Sequence, residues 1–434
     1  MNKILTLTAL GTVLLCANAQ AAGFHLREQS AAAQGNAFAG ATAGAENNTY
    51  AYFNVAGLTR QKGTQFNIGG TYIAPKASAK DVKYVGGQND GERGPDINNI
   101  VHAAVAPNMT YSHQIDDKTY VGMSLNVPYG MVTKYDRGWA GSDHGITSKV
   151  TSVTVTPMAA YKATDKLSLG AGLQMQYIKA KLSNTARPLA ELAQDPTPTY
   201  SRLDGETFDV GYQLGAMYEL DDDTRFGLAY RSQIKHKLKG EIEASPTAVP
   251  DTLGGGMINA LLNQDISARL TTPAMLSLGA YHQVNDKWAV MAEYQRVFWS
   301  SFENLTIKGE PTNQPGKTYI SDVKENWRDT NFYAVGTNYK IDNQWTWRLG
   351  LAYDQAAARY ANRTPRIPDS DRLWYSTGLS YKYNDKLTFD LAYTYIYAHK
   401  AKMDSQVTGN KGAHASADFS NSVQLFGFSL NYNF

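Results

Sequence analysis

The chain has 434 residues, a formal net charge of +2 and a single cysteine, Cys16. The near-neutral balance argues against nucleic-acid binding, and one cysteine excludes a disulfide framework. With 37 glycines, 28 tyrosines and a negative mean hydropathy, the chain holds no later run long and apolar enough for a membrane-spanning helix.

The chain opens "MNKILTLTALGTVLLCANAQAAGF". Lys3 supplies a positive start, Ile4 to Leu15 an apolar stretch, and Ala19-Gln20-Ala21 a small-residue cleavage pattern. This predicts a secretory signal over residues 1–21, with Ala22 opening a mature chain that lacks cysteine. Residues 22–63 are rich in Ala, Gly and Asn and show neither strand alternation nor a helical stripe. They read either as an exposed tail or as a plug whose small residues pack closely against a surrounding wall.

From residue 64 a short turn recurs: "IDDK" (115–118), "ATDK" (163–166), "LDDD" (220–223), "VNDK" (284–287), "IDNQ" (341–344) and "YNDK" (383–386). Asp and Asn suit tight hairpins because their side chains bond their own backbone. Alternating segments flank these turns. In "WTWRLGLAYD", Trp345, Trp347, Leu349, Leu351 and Tyr353 share one face; Thr346, Arg348, Gly350, Ala352 and Asp354 share the other. "LSLGAGLQMQY" (167–177) and "LTFDLAYTYIY" (387–397) alternate likewise, with aromatics near the strand ends. An exported chain of this pattern is expected to be an all-β transmembrane β-barrel of the bacterial outer membrane, its apolar face toward lipid. Six turns divide residues 64–434 into seven segments, each long enough for two strands and a loop, which gives a 14-stranded antiparallel barrel. An even count closes the sheet and removes its edges. With the tight turns and both termini periplasmic, the two largest outer loops are expected at about 183–203 and 243–265. The last strand, "VQLFGFSLNYNF", ends in Phe434, as is typical of outer-membrane barrels.

The third strand breaks its own pattern. In "VGMSLNVPYGMVTKYD" (121–136), Pro128 has no N–H for the ladder and Gly130 offers nothing to pack. Unpaired backbone facing lipid is costly unless protein buries it or it lines a cavity. Pro128, Tyr129 and Gly130 therefore mark either a bulge or a local opening of the wall. In the outer loops, Leu189 and Leu192 lie in "RPLAELAQ", and Leu253, Met257, Ile258, Leu261 and Leu262 in "DTLGGGMINALLNQD". The last four are spaced as one face of a short helix. Such residues form a docking groove for an apolar ligand, or pack the two loops on each other. The eight histidines are scattered, and neither H-E-x-x-H nor G-x-S-x-G occurs. The chain therefore reads as non-enzymatic, without metal or cofactor.

Taken in order, "AGFHL" and "QGNAFAG" near the mature start, "FNVAGL" (53–58), "APNMTY" (106–111), "YRSQIKHKLKG" (230–240), "WTWRLGLAYD" and "NRTPRIPDSDR" (362–372) carry a likeness. Together they resemble the FadL family of outer-membrane long-chain fatty acid transporters, over nearly the whole mature chain. The resemblance implies an N-terminal hatch over residues 22–63 inside the lumen. It implies passive uptake of long-chain fatty acids or similar hydrophobic molecules. Capture would occur between the third and fourth outer loops, followed by transfer to a luminal pocket and lateral exit through a kinked third strand. Phe24 and Asn54 become hatch contacts. Arg328, in "ENWRDTNF", becomes the basic pocket residue that anchors a carboxylate. The family's other basic position falls near Asn184, which is not basic, with Arg187 close by. Val55 stands where the family's Asn-Pro-Ala motif has proline. The expected partners are the hydrophobic substrate and outer-membrane lipids, including lipopolysaccharide, around a monomeric barrel. The rival reading is a general porin for polar solutes, which a plug over 22–63 would deny a continuous water path.

Overall fold

A computed structural model of the protein describes residues 23–85, 91–186, 199–244, 263–310, 318–404 and 415–434. Its wall is a single antiparallel sheet. The strands are β1 (Thr64–Tyr84), β2 (Ala104–Gln114), β3 (Thr119–Asn126, resuming at Gly130–Lys134), β4 (Thr147–Lys162), β5 (Leu167–Ala186) and β6 (Thr199–Glu219). They continue as β7 (Thr224–Arg231, Ile234–Ala244), β8 (Gln264–Thr272, Met275–Gln283), β9 (Trp288–Val297, Asn304–Glu310) and β10 (Thr318–Lys324, Thr330–Lys340). The last four are β11 (Trp345–Asp354), β12 (Arg372–Lys382), β13 (Leu387–Ala398, Ala401–Asp404) and β14 (Ala415–Asn433). Neighbours in sequence are neighbours in the sheet, and β14 pairs with β1 from Gln65↔Asn433 to Tyr84↔Ala415. The fourteen strands therefore close on themselves.

The six short turns are the hairpins expected of them. Asp116, Asp221, Asn285, Asp342 and Asn384 each turn a side-chain oxygen back onto backbone N–H groups two and three residues on; Thr164 does the same with its hydroxyl. Two loop boundaries differ from expectation. β5 and β6 stay paired up to Ala186↔Thr199, so 183–186 and 199–203 are strand. β7 likewise runs to Ala244 and β8 begins at Gln264. The extra length comes from inward apolar residues there: Leu203, Ile242, Ile266 and Ile307 cluster, with Leu182 against them.

The alternating faces fall as lipid and lumen require. Leu169, Leu173, Phe208, Val210, Leu351 and Leu391 are exposed outward, while Gln174, Gln176, Arg348, Asp354 and Asp390 are buried inward. The lumen is filled by residues 23–61, almost all buried. This segment holds α1 (Ala31–Gly35), α2 (Ala41–Gly44) and two 3₁₀ turns, Asn48–Tyr52 and Val55–Arg60. Helices this short do not stand alone, so the wall holds them. Inward glycines on eight strands make the seat: Gly170, Gly215, Gly227, Gly279, Gly336, Gly350, Gly378 and Gly427. A Cβ on Gly227 would lie 2.0 Å from the Thr42 carbonyl oxygen, and one on Gly350 2.0 Å from that of Asn36.

Candidate functional site

The break in β3 is real, and protein fills it. The ladder between β2 and β3 ends at Met109↔Leu125, and Gly130–Lys134 forms its ladder with β4 and none with β2. Between the two halves, the Ser152 hydroxyl accepts from Tyr129 N (2.9 Å) and donates to Tyr129 O (2.8 Å), bridging the lost register with β4. On the edge that β2 has left, the N-terminal segment takes its place. Leu26 N donates to Pro128 O (2.8 Å), Gly130 N donates to Phe24 O (3.0 Å), and His25 bridges Tyr129. Gln29 completes the repair: its Nε2 donates to Val127 O (2.8 Å) and its Oε1 accepts from Val127 N (3.1 Å). Pro128 has no N–H to satisfy, so no backbone donor in the break is stranded.

The same segment inserts into a packed apolar cluster, the Phe24 chamber, which its own ring fills. Phe24, 1% exposed, packs its ring against Trp299 (4.9 Å between centroids), Tyr129 (5.8 Å), Trp327 (5.9 Å) and Phe302 (6.0 Å). Gly23, at φ +65°, is required beside it: a Cβ would lie 2.5 Å from Trp327 and 2.9 Å from Trp299. Met131, Val150, Ile178, Leu238, Leu270 and Ile367 line the rest. The aromatics enter where strands are interrupted. Trp299 and Phe302 sit between the halves of β9, and Trp327 between those of β10. Pro273 breaks β8 at the same cluster, beside Met275.

Charge surrounds the stopper. Arg27 lies 3.7 Å over the Phe332 ring and 3.8 Å from Asp354, and donates to Gln295. Arg372 stands 3.7 Å from Asp354 and also pairs with Asp369, which in turn accepts from Gly23 N (3.2 Å) and Ala357 N (2.7 Å). Burial holds the His25 imidazole well below its ordinary range and pushes the Glu28 carboxyl up to about 7. Glu28 Oε2 and His25 Nε2 have no hydrogen-bond partner among the described residues.

The rest of the hatch is clamped to the wall. Asn54, 3% exposed, accepts from Ala56 N (3.0 Å) and donates to Thr42 O (2.8 Å) and Ala216 O (3.0 Å). The turn it caps is thus held from both sides with Val55 in the proline position. Arg225 donates to Ala43 O (2.7 Å), Arg231 to Tyr52 O (2.6 Å) and Arg348 to Glu46 (2.7 Å).

The candidate residues do not all converge. Phe24, Pro128, Tyr129 and Gly130 meet at one place. Asn54 belongs to the hatch body. Arg328 requires a correction: it does not reach the chamber. Its side chain is 43% exposed, Nε donates to Ala356 O (2.8 Å), and Nη2 pairs with Asp371 (3.3 Å), which also accepts from Tyr353 on the outward face. Leu189, Leu192, Leu253, Met257, Ile258, Leu261 and Leu262 lie outside the described residues. Trp299, Phe302, Trp327, Arg27 and Gln29 were not legible as site residues. Their one signal was the loss of alternation at "FWSSF" and "ENWRD".

A family model for outer membrane protein transport proteins (OMPP1/FadL/TodX) matches residues 12–434. The chain belongs to this family. Its members are outer-membrane transport channels and not enzymes. The chain is 30% identical to a long-chain fatty acid transport protein of Escherichia coli O6:H1, covering 98% of this chain and 97% of that one. It is 29% identical to outer membrane protein P1 of Haemophilus influenzae, over 100% and 99%. Among solved structures, a Pseudomonas aeruginosa FadL homologue superposes with a TM-score of 0.84 at 26% identity, over 95% of this chain and all of that one. The Pseudomonas putida toluene transporter TodX shares the fold at a TM-score of 0.69 and 19% identity, with 95% and 100% covered.

Proposed function

We propose that this OMPP1/FadL/TodX barrel passes long-chain fatty acids and similar hydrophobic molecules from the outer loops into the Phe24 chamber and out sideways through the break in β3. The observation that carries this reading is the double duty of residues 24–29. Their backbone completes β3, and the Phe24 ring fills the chamber. One displacement of this segment empties the chamber and opens the wall together. The apolar inner faces of the strand ends, Leu182, Leu203, Ile242 and Ile266, continue the chamber toward the loops that carry Leu189, Leu192, Leu253 and Met257. A lumen filled by residues 23–61 disfavours a polar porin.

Fatty acid is favoured over hydrocarbon by the relatives named for it and by one cation. Arg366, 9% exposed and next to the chamber residue Ile367, donates to Ser148 Oγ (3.0 Å). Burial lowers it to about 10, opposed by Glu325, whose own carboxyl burial raises to about 7. Glu325 is thus only partly ionised at neutral pH, leaving Arg366 with positive charge to offer a carboxylate. Arg366→Gln is expected to weaken a fatty acid about tenfold while sparing an alkane of equal length, and Arg328→Gln to change neither.

The route is tested by a lock. His25 and Tyr129 form a non-hydrogen-bonded antiparallel pair, whose Cα atoms lie about 4.5 Å apart in such pairs, within disulfide reach. In His25→Cys/Tyr129→Cys, oxidation should bring fatty acid uptake to background and reductant should restore it. Full uptake through the oxidised barrel would overturn the lateral route.

A further inference from the structure

We propose that Lys235, Lys237 and Lys239 on β7, with Arg269 on β8, form an outer-wall docking site for the phosphates of lipopolysaccharide. Along the outward face of β7, exposed Phe226 and Leu228 and half-buried Tyr230 give way, past the break at Ser232-Gln233, to these three exposed lysines. On β8 the outward face changes from Leu278 and Leu276 to exposed Arg269. The register sets Lys237 directly opposite Arg269, with Lys235 opposite Thr271 and Lys239 opposite Ser267. Four cations thus sit side by side at the top of the lipid-facing band, on the long-loop side, which is the extracellular side of such barrels.

Like charges directly across a strand pair are destabilising unless something neutralises them. The protein does not: among the described residues none of the four has an ion pair. The carboxylate nearest in register, Glu206 opposite Lys239, accepts from Lys179 (3.0 Å) and Tyr177 (2.7 Å). Glu241 and Asp265 face each other one step further toward the loops. Three other cations near this rim are matched: Arg296 with Asp329 (3.1 Å), Arg328 with Asp371 (3.3 Å) and Lys402 with Asp418 (4.0 Å). An open trough runs between Lys179, Lys237, Lys239 and Ser267, and Asp204, Glu206, Glu241 and Asp265 line its end toward the loops. The cationic part of the site is therefore the side formed by Lys235, Lys237 and Arg269. Lys235 to Lys239 spans about 13 Å of strand, room for two phosphate groups. On the adjoining β6, Phe208, Val210, Tyr212 and Leu214 are all exposed, a surface for acyl chains. A ligand with phosphates at its head and several acyl chains matches both halves of the site; free phosphate matches one. The site lies outside the lumen, so it stands or fails apart from the transport route.

The test uses the full mature barrel in detergent, with bound lipid per folded barrel read by native mass spectrometry. The probes are lipopolysaccharide, the same lipid after dephosphorylation, and inorganic phosphate. Lipopolysaccharide should bind the parent, and bind Lys235→Gln/Lys237→Gln/Arg269→Gln roughly a hundredfold more weakly. The dephosphorylated lipid should bind both barrels equally weakly. Lys235→Arg/Lys237→Arg should keep parent binding, which separates charge from any folding defect. Undiminished lipopolysaccharide on the glutamine variant would overturn the proposal. So would parent-like binding of the dephosphorylated lipid, loss of binding in the arginine variant, or displacement by an equal concentration of inorganic phosphate.

Discussion

Residues 31–61 and residues 23–29 share one lumen, yet the barrel grips them in different ways. The body is seated backbone to backbone on inward glycines, with Arg225, Arg231 and Arg348 bonded to its carbonyls and to Glu46. Nothing can slide where a single Cβ would overlap a carbonyl oxygen. The tail is held by two backbone hydrogen bonds to the break in β3, by Gln29, by Gly23 N on Asp369, by Arg27 against Asp354, Gln295 and the Phe332 ring, and by an aromatic ring in an apolar chamber. On the proposed route an apolar ligand replaces that ring, whereas the glycine seat has no such competitor. Two buried groups, Glu28 and His25, also leave polar atoms without partners in the tail. Such atoms weaken its docking. On the proposed route, the difference gives motion to the tail and support to the body.

The strongest way to break this contrast is to spoil the seat. Gly227→Leu with Gly350→Leu places side chains where Cβ alone lies 2.0 Å from hatch carbonyl oxygens. Each is expected to cost about 1–3 kcal/mol, together up to about 6. The result should be a lower Tm and ionic current in planar bilayers. Gly138→Ala, with nothing within 4 Å, should do neither.

Next in size is Phe24→Ala. Emptying the ring position should weaken tail docking by about 3–5 kcal/mol and leave the hatch body unchanged. A hydrophobic ligand, freed of its competitor, should bind the chamber more tightly in calorimetry. Weaker ligand binding would mean that Phe24 and ligand do not share the site.

The smallest effect is a pH dependence. Burial raises the docked Glu28 carboxyl to about 7 from an ordinary 4.5, so the docked tail holds its proton more tightly than the released tail. Glu28's share of docking is therefore fully present below about pH 4.5, is lost as pH rises to 7, and levels off above. The total is on the order of 3 kcal/mol. His25, held below its ordinary range, works the other way below about pH 6.5, so the test is made on a His25→Gln barrel. There a fluorophore on the tail should report more release at pH 7.5 than at pH 5, and adding Glu28→Gln should flatten the profile.

The barrel was legible because its rules are periodic. Two-residue alternation and side-chain-capped turns sorted lipid from lumen and counted the strands. Pro128 and Gly130 were legible because they violate that period. Arg328 misled for a related reason: it lies between the halves of β10, where alternation no longer says which way a side chain points. Trp327, one residue earlier, faces the chamber from the same interruption. The inward glycines could be seen as a small-residue face. Their partners could not, since Asn36, Thr42 and Asn54 belong to an irregular segment whose register against the wall follows no repeat.

The division between tail and body is tested most directly by hydrogen exchange on the intact barrel with and without a long-chain fatty acid. The account predicts that ligand deprotects Leu26 and Gly130 together, while Gly44, Asn54 and Ala56 keep their protection. Loss of protection across residues 31–61 in step with the tail would show the hatch moving as one piece, and would contradict it.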